Sequence, residues 1–136
     1  MQQCDTPVPG PLCNHPVTNR ILYQQHLLQT GFSDRVLGEV VTALKDAGVY
    51  DDALLIVTAD HGISFRPGDQ KRIVTEANFA EIMAVPLFIK LPQQKEGRVV
   101  ERVVDITAIL PTIVDVLDIQ TDTDYPSPSL LANDAE

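Results

Sequence analysis

The sequence predicts an α/β domain with a mostly parallel sheet flanked by helices. Two continuous apolar runs, residues 53–58 and 85–90, have the composition of strands that are buried on both faces, as in parallel sheets. Stretches in which apolar residues recur at helical spacing lie on either side of these runs, at residues 20–47 and 106–117. Alternation of helical and strand patterns is typical of α/β folds.

The composition limits the class of protein. With 136 residues and 44% hydrophobic residues, the chain can form one domain with its own core. Its net charge of -9 argues against a nucleic-acid partner and against an anionic membrane surface, since both attract basic proteins. No apolar stretch approaches the roughly 20 residues of a membrane span. The chain starts without the basic and apolar regions of a signal peptide, so its localisation stays unknown.

A proline-rich, extended lead-in, residues 1–17, precedes the first predicted helix. The helical pattern of residues 20–47 stops at Gly48, a common helix terminator. Within it, Gly31 weakens helical propensity and Ser33 can cap a new helix. One kinked helix and two separate helices are therefore both compatible with the pattern.

The rest of the chain alternates short elements and ends in a polar tail. In order we predict a strand at 53–58, a loop at 63–70, a short helix near 75–83, a strand at 85–90, a short strand at 99–104, a helix opened by Asp105 and interrupted at Pro111, and the tail, 120–136.

Two apolar strands cannot cover their faces with these helices alone. We therefore expect further strands from other polypeptide, or self-association through an open sheet edge.

The first strand runs directly into Asp60, His61 and Gly62. Open α/β sheets bind ligands just beyond the carboxyl ends of their strands. A carboxylate and an imidazole are common ligands of a divalent metal, so Asp60 and His61 are candidate metal ligands. The alternative is an Asp that caps the next turn and a His that packs at the strand end. Two ligands form less than half of a complete shell, so we expect weak or no metal binding by this chain alone.

Other polar residues offer further hypotheses. A weaker hypothesis is a different metal hydrolase that uses His15 or His26 together with the Asp60–His61 pair. A loop position for His15 and a helix position for His26 explain these histidines better. Three basic residues after the pair could contact an anionic ester or simply lie on a solvated loop: Arg66, Lys71 and Arg72.

Four segments in order resemble the second half of the catalytic domain of the sulfatase family, in the alkaline phosphatase superfamily (sulfatase/phosphoglycerol-transferase-like). They are residues 32–48, 51–62, 85–92 and 105–117, and the resemblance covers roughly 20–119. It implies a partial alkaline-phosphatase-like sandwich within a domain region at 18–119. It also implies that Asp60 and His61 are metal ligands for Ca, Mn, Mg or Zn in the complete domain. The parent would act on sulfate or phosphate esters through a covalent intermediate.

The same resemblance implies that the front half of the domain lies outside this sequence. Neither Cys4 nor Cys13 stands in the Cys-x-Pro-x-Arg setting of the sulfatase nucleophile, so we assign no catalytic residue and expect no activity from the isolated chain. His61 stands where many sulfatases carry Asn and is more like the phosphodiesterase and lipoteichoic-acid-synthase-like branches. The resemblance implies a parent that is extracytoplasmic or anchored in a membrane, as related domains often are. The alternative is a non-catalytic interaction module, or a degenerate fragment, that pairs with another chain.

Overall fold

The computed structural model describes residues 15–132 of the chain. Its elements are α1 (Pro16–Asp46), β1 (Leu55–Thr58), α2 (Phe79–Met83), β2 (Leu87–Lys90) and α3 (Ile109–Val116), the last preceded by a 3-10 turn at Ile106–Ala108. The described residues fall into two compact units. The first contains residues 15–50 and 56–88, and the second contains residues 51–55 and 89–132.

The helix α1 is a single continuous helix, which resolves the choice left open by the sequence. The hydroxyl of Ser33 donates to the carbonyl oxygen of Gln29 at 3.1 Å, one turn back, so this residue lies inside the helix and does not cap a second one. Gly31 costs about 1 kcal/mol of helical propensity, which a long helix absorbs without breaking. The helix ends as predicted, because Gly48 adopts a left-handed φ of 70°.

The strands β1 and β2 pair with each other and form a two-stranded sheet among the described residues. They are antiparallel, so the predicted parallel arrangement is wrong for this pair. Backbone hydrogen bonds on each side of the pair show the direction: Gln93 N–H donates to Asp51 at 2.7 Å, and Gly62 N–H donates to Ile82 at 2.7 Å. A continuous apolar run reports burial but carries no information about strand direction, which explains the error.

The strands are also less buried than their composition predicts. Leu55 to Val57 are half-buried, and the side chain of Phe88 is 65% exposed. Each strand has one neighbour in the described part of the chain, so one edge of each is unpaired there. The structure therefore confirms helices with a small sheet, in keeping with a partial α/β fold, and does not contain a complete sandwich.

The second unit is built around α3. The Asp105 side chain caps the preceding 3-10 turn, as predicted, by accepting from the Thr107 N–H at 2.8 Å. Pro111 lies in the first turn of α3, where its missing N–H has no intrahelical partner to lose. Residues 99–104 form no strand. The tail returns to α3, where the buried hydroxyl of Thr112 donates to Ala108 at 2.6 Å and accepts from the N–H of Leu130 at 2.9 Å.

Apolar side chains are poorly covered in both units. Among residues 15–132, the apolar side chains that are buried are those of Ile82, Ala108 and Pro111. The α1 helix carries an outward apolar stripe in which Leu28 is 75% and Phe32 is 67% exposed. The other stripe residues are more than one third exposed: Val17, Ile21, Val36 and Val40. No described helix has both the length and the apolar character to cross a membrane.

Candidate metal centre

The candidate ligands lie in a tight turn directly after β1. The carboxylate oxygen Oδ1 of Asp60 accepts a hydrogen bond from the backbone N–H of His61 at 2.9 Å. This bond leaves Oδ2 of Asp60 facing the ring of His61, 3.7 Å from Nε2. The Asp60 side chain is 88% exposed and that of His61 is 38% exposed, so both groups are open to a ligand.

The imidazole of His61 is oriented by its own backbone. Its Nδ1 lies 2.7 Å from the carbonyl oxygen of Gly62, which can only accept a hydrogen bond. The proton of the neutral ring therefore sits on Nδ1, and Nε2 carries the lone pair. A backbone carbonyl that holds one ring nitrogen in this way fixes the tautomer of metal-binding histidines.

Gly62 anchors the turn to α2. Its N–H donates to the carbonyl oxygen of Ile82 at 2.7 Å. A Cβ at this position would overlap the carbonyl oxygen of Glu81 and would lie 3.0 Å from the carbonyl carbon of the same residue. Only glycine allows this approach, so the residue after the Asp–His pair is required for packing against α2.

The two side chains fit a divalent ion as part of a ligand set. A carboxylate oxygen and an imidazole nitrogen 3.7 Å apart are spaced like neighbouring ligands that each bind one ion at about 2.0–2.2 Å. Within residues 15–132 no group of three or more His, Cys, Asp or Glu side chains is arranged to hold a metal ion. Asp60 and His61 would thus supply two ligands of a shell that needs others.

The remaining histidines lie elsewhere in their unit. His15 is the N-cap of α1, where its Nδ1 accepts from the N–H of Val17 at 3.3 Å. The ring of His26 packs at 5.3 Å from the ring of Phe65. In the described part of the chain neither joins Asp60 and His61 in a metal-binding group, so the hypothesis of a different metal hydrolase is not supported.

The three basic residues after the turn have different environments. Arg66 forms an ion pair with Glu81 at 2.6 Å between Nε and Oε1. Lys71 is buried, and its ammonium donates to the side-chain oxygen of Asn19 and to the carbonyl of Arg66. Arg72 is exposed. Contact of any of these residues with an anionic ester stays a prediction. The burial of Lys71 argues against such a contact for this residue.

A buried polar cluster behind the turn was not predicted. Its members are Ser64, Asp69 and Asn78. Ser64 and Asn78 are fully buried, and both donate to the same carboxylate oxygen of Asp69, at 2.7 and 3.0 Å. A sequence signal existed, because Pro67 and Gly68 mark a turn that brings Asp69 back towards Ser64, and Gly68 has a φ of 87°.

Residues 16–119, which include this turn, match the family model described as Sulfatase. The chain belongs to the sulfatase family. It is 33% identical over 125 residues to the N-sulphoglucosamine sulphohydrolase of Homo sapiens, across 90% of this chain and 23% of that protein. It is 33% identical over 100 residues to the multifunctional alkaline phosphatase superfamily protein PehA of Trinickia caryophylli, across 72% of this chain and 19% of that protein.

A third relative of this sulfatase-family chain is the lipoteichoic acid synthase of Staphylococcus saprophyticus, 31% identical over 96 residues, across 66% of this chain and 15% of that protein. The chain thus spans about a fifth of the length of the curated relatives it matches. No solved structure matches it. Sulfatases generally use a divalent metal, and the relatives together support membership of a family of sulfate-ester hydrolases.

Proposed function

We propose that this chain is part of a metal-dependent sulfatase-like domain that hydrolyses or transfers sulfate or phosphate esters. Asp60 and His61 would hold a divalent ion together with ligands from other polypeptide. Cys4 and Cys13, which lie outside the described residues, lack the Cys-x-Pro-x-Arg setting, so the isolated chain would have no turnover. The ester substrate would not be a nucleic acid, because the chain itself carries a net charge of -9.

The arrangement of Asp60 and His61 carries this proposal. A carboxylate and the unprotonated nitrogen of an imidazole lie 3.7 Å apart, both open to solvent, at the end of a strand. The turn that presents them lies inside the region that matches the sulfatase family model. If Asp60 only capped the next turn and His61 only packed at the strand end, the imidazole would not need a fixed tautomer. A metal-binding histidine benefits from a fixed tautomer.

The chain's own residues would do three things in the reaction. The Gly62 carbonyl holds the proton of His61 on Nδ1, so that Nε2 stays available as a ligand. The N–H of His61 fixes one oxygen of Asp60 and leaves the other free. Gly62 holds the turn on α2 through Ile82. When bound, a divalent ion would lower the pKa of the nucleophile and neutralise charge on the ester oxygens.

Paramagnetic Mn²⁺ tests the ligand assignment. We expect Mn²⁺ to broaden the NMR signals of the His61 ring before those of other residues, even if binding is weak. Asp60→Asn should weaken the broadening of the His61 ring by about tenfold or more, since loss of a ligand costs at least as much as loss of an outer-shell partner. In His61→Ala, which has no ring to observe, the broadening of the neighbouring Gly62 amide should fall similarly. Asp124→Asn, which changes an exposed carboxylate elsewhere, is the control. Equal broadening in all variants would contradict the assignment.

Activity assays test the expected lack of turnover. The purified chain should hydrolyse neither p-nitrophenyl sulfate nor bis(p-nitrophenyl) phosphate in the presence of Ca²⁺, Mg²⁺, Mn²⁺ or Zn²⁺. Both esters are needed, because the relatives include an enzyme named as a sulphohydrolase and one named as a lipoteichoic acid synthase. Multiple turnovers that survive removal of contaminating hydrolases would overturn this part of the proposal.

The second candidate function is an interaction module that pairs with another chain. The outward stripe of α1, with Leu28 and Phe32 largely exposed, favours it, since isolated domains rarely expose so continuous an apolar surface. The unpaired edges of β1 and β2 favour it as well. Self-association measured by sedimentation separates the two functions: a stable oligomer without selective Mn²⁺ broadening at His61 would support pairing alone.

A further inference from the structure

The loop between the candidate ligands and α2 is held by the buried polar cluster of Ser64, Asp69 and Asn78. The Asn78 amide makes three hydrogen bonds: its Nδ2 donates to Asp69 at 3.0 Å and to the carbonyl of Ile73 at 3.1 Å, and its Oδ1 accepts from the N–H of Thr75 at 2.7 Å. A fully buried side chain with three bonds has one orientation. Asn78 therefore fixes the chain that leads into α2.

The same residue is connected to the Asp–His turn through α2. Its backbone carbonyl accepts from the N–H groups of Glu81 at 3.0 Å and Ile82 at 3.2 Å. The carbonyl of Ile82 then accepts from Gly62, and the backbone of Glu81 lies where any larger residue at 62 would sit. Because α2 has only five residues, it cannot hold its position by its own helical stability. Its position depends on contacts outside the helix, among them the bonds of Asn78 and the burial of Ile82.

We propose that Asn78, fixed by Asp69, is a positioning residue for the metal ligands Asp60 and His61. By setting the place of α2, it holds Gly62, and the Gly62 carbonyl in turn holds the imidazole of His61 with Nε2 outward. This inference rests on the proposed metal-binding function. It assigns a role to a residue that lies 17 positions after His61 in the chain and touches neither ligand.

Exchanging the side chains of Asn78 and Asp69 tests whether Asn78 positions the metal ligands or only contributes to stability. Asn78→Asp places a second carboxylate against that of Asp69 in a buried site, where like charges repel strongly. Adding Asp69→Asn restores one donor and one acceptor between the same two positions. Gln29→Glu, at an exposed site of α1, is the matched control for gain of one carboxylate.

Two measurements follow the consequences. Hydrogen exchange of the Gly62 amide reports whether its bond to Ile82 is held, and Mn²⁺ broadening of the His61 ring reports whether the ligands are presented. We expect Asn78→Asp to speed Gly62 exchange by about tenfold or more and to reduce the broadening similarly, since a broken buried hydrogen bond costs about 1–3 kcal/mol. The double variant should recover part of both, because it removes the carboxylate repulsion but does not restore the bond from position 78 to the carbonyl of Ile73. The exposed control should change neither.

The outcomes distinguish this inference from the proposed function. Absence of broadening at His61 in the unaltered chain overturns metal binding and with it this role. Broadening that survives in Asn78→Asp, or a double variant no better than the single one, overturns the positioning role alone. If Asn78→Asp does not fold, Asn78→Ser replaces it, because serine keeps an oxygen for Thr75 but loses the bond to Asp69. Unchanged Gly62 exchange in that variant also contradicts the inference.

Discussion

The backbone N–H of Gly62 donates to the carbonyl oxygen of Ile82 across a distance of 2.7 Å, and this bond joins the candidate metal turn to a helix that begins 17 residues later. Ile82 is also one of the three apolar residues buried within 15–132. The position of the Asp60–His61 pair therefore depends on the little apolar packing that this unit has.

Substitution of Gly62 by alanine should destabilise the first unit. The new Cβ would overlap the backbone of Glu81, and relieving such a clash typically costs about 1–3 kcal/mol. Urea unfolding measures the loss. Gly31→Ala is the control, since a Cβ there meets nothing within 4 Å inside α1, and it should stabilise by roughly 0.5–1 kcal/mol. Equal effects at both glycines would contradict the close approach.

Replacement of Thr112 by valine should release the tail from α3. The change removes the acceptor of the Leu130 N–H and the donor to Ala108, at a cost of about 1–3 kcal/mol for buried groups. Hydrogen exchange of the Leu130 amide measures it. Thr42→Val removes a similar 2.9 Å bond to Gly38 on an exposed helix face and should cost less than about 0.5 kcal/mol. Protection of Leu130 that survives in Thr112→Val would show that this bond does not hold the tail.

Asp105 should make the second unit sensitive to acid. Hydrogen bonds from the backbone and side chain of Thr107 hold the pKa of its carboxyl below the ordinary value. A lowered folded-state pKa stabilises above the unfolded value of about 3.9 and stops doing so as pH falls through the folded value. Asp105→Asn keeps the capping oxygen without titrating, so its stability should fall less than that of the unaltered chain between pH 5 and pH 2, measured by thermal unfolding at each pH. Parallel losses in both proteins would assign the acid sensitivity to other carboxylates.

The outward stripe of α1 should drive association of the isolated chain. Leu28→Lys places a charge at its most exposed position and should reduce both binding of the dye ANS and the oligomer fraction in sedimentation. Gln29→Lys adds the same charge at the neighbouring exposed position and serves as control. If both variants behave like the unaltered chain, the stripe is not an interaction surface.

The position of the Asp60–His61 pair just after a strand could be predicted from the sequence, but the contacts that support this position could not. The Asp60–His61 pair was recognisable because an apolar run led directly into it and Gly62 ended the strand. The helix ends at Gly48 and Asp105 followed from local chemistry, and the structure has both. By contrast, the hydrogen bond between Gly62 and Ile82 joins residues that are far apart in the sequence, and no local sequence pattern predicts it.

The predictions of the direction of β2 and of the burial of both strands were wrong for the same reason. Apolar composition predicts that a segment is buried, but it does not identify the element that packs on it or the direction of the neighbouring strand. Strand propensity has a similar limit: residues 99–104 contain four valines and still form no strand.

The poor coverage of α1 has a thermodynamic consequence. The heat capacity change of unfolding and its dependence on urea both scale with the apolar surface newly exposed to water. Leu28, Phe32 and their neighbours are already in water before the helix melts. The isolated chain should therefore lose its structure gradually on heating. A sharp transition would require a partner that buries the apolar residues of α1 in the folded state.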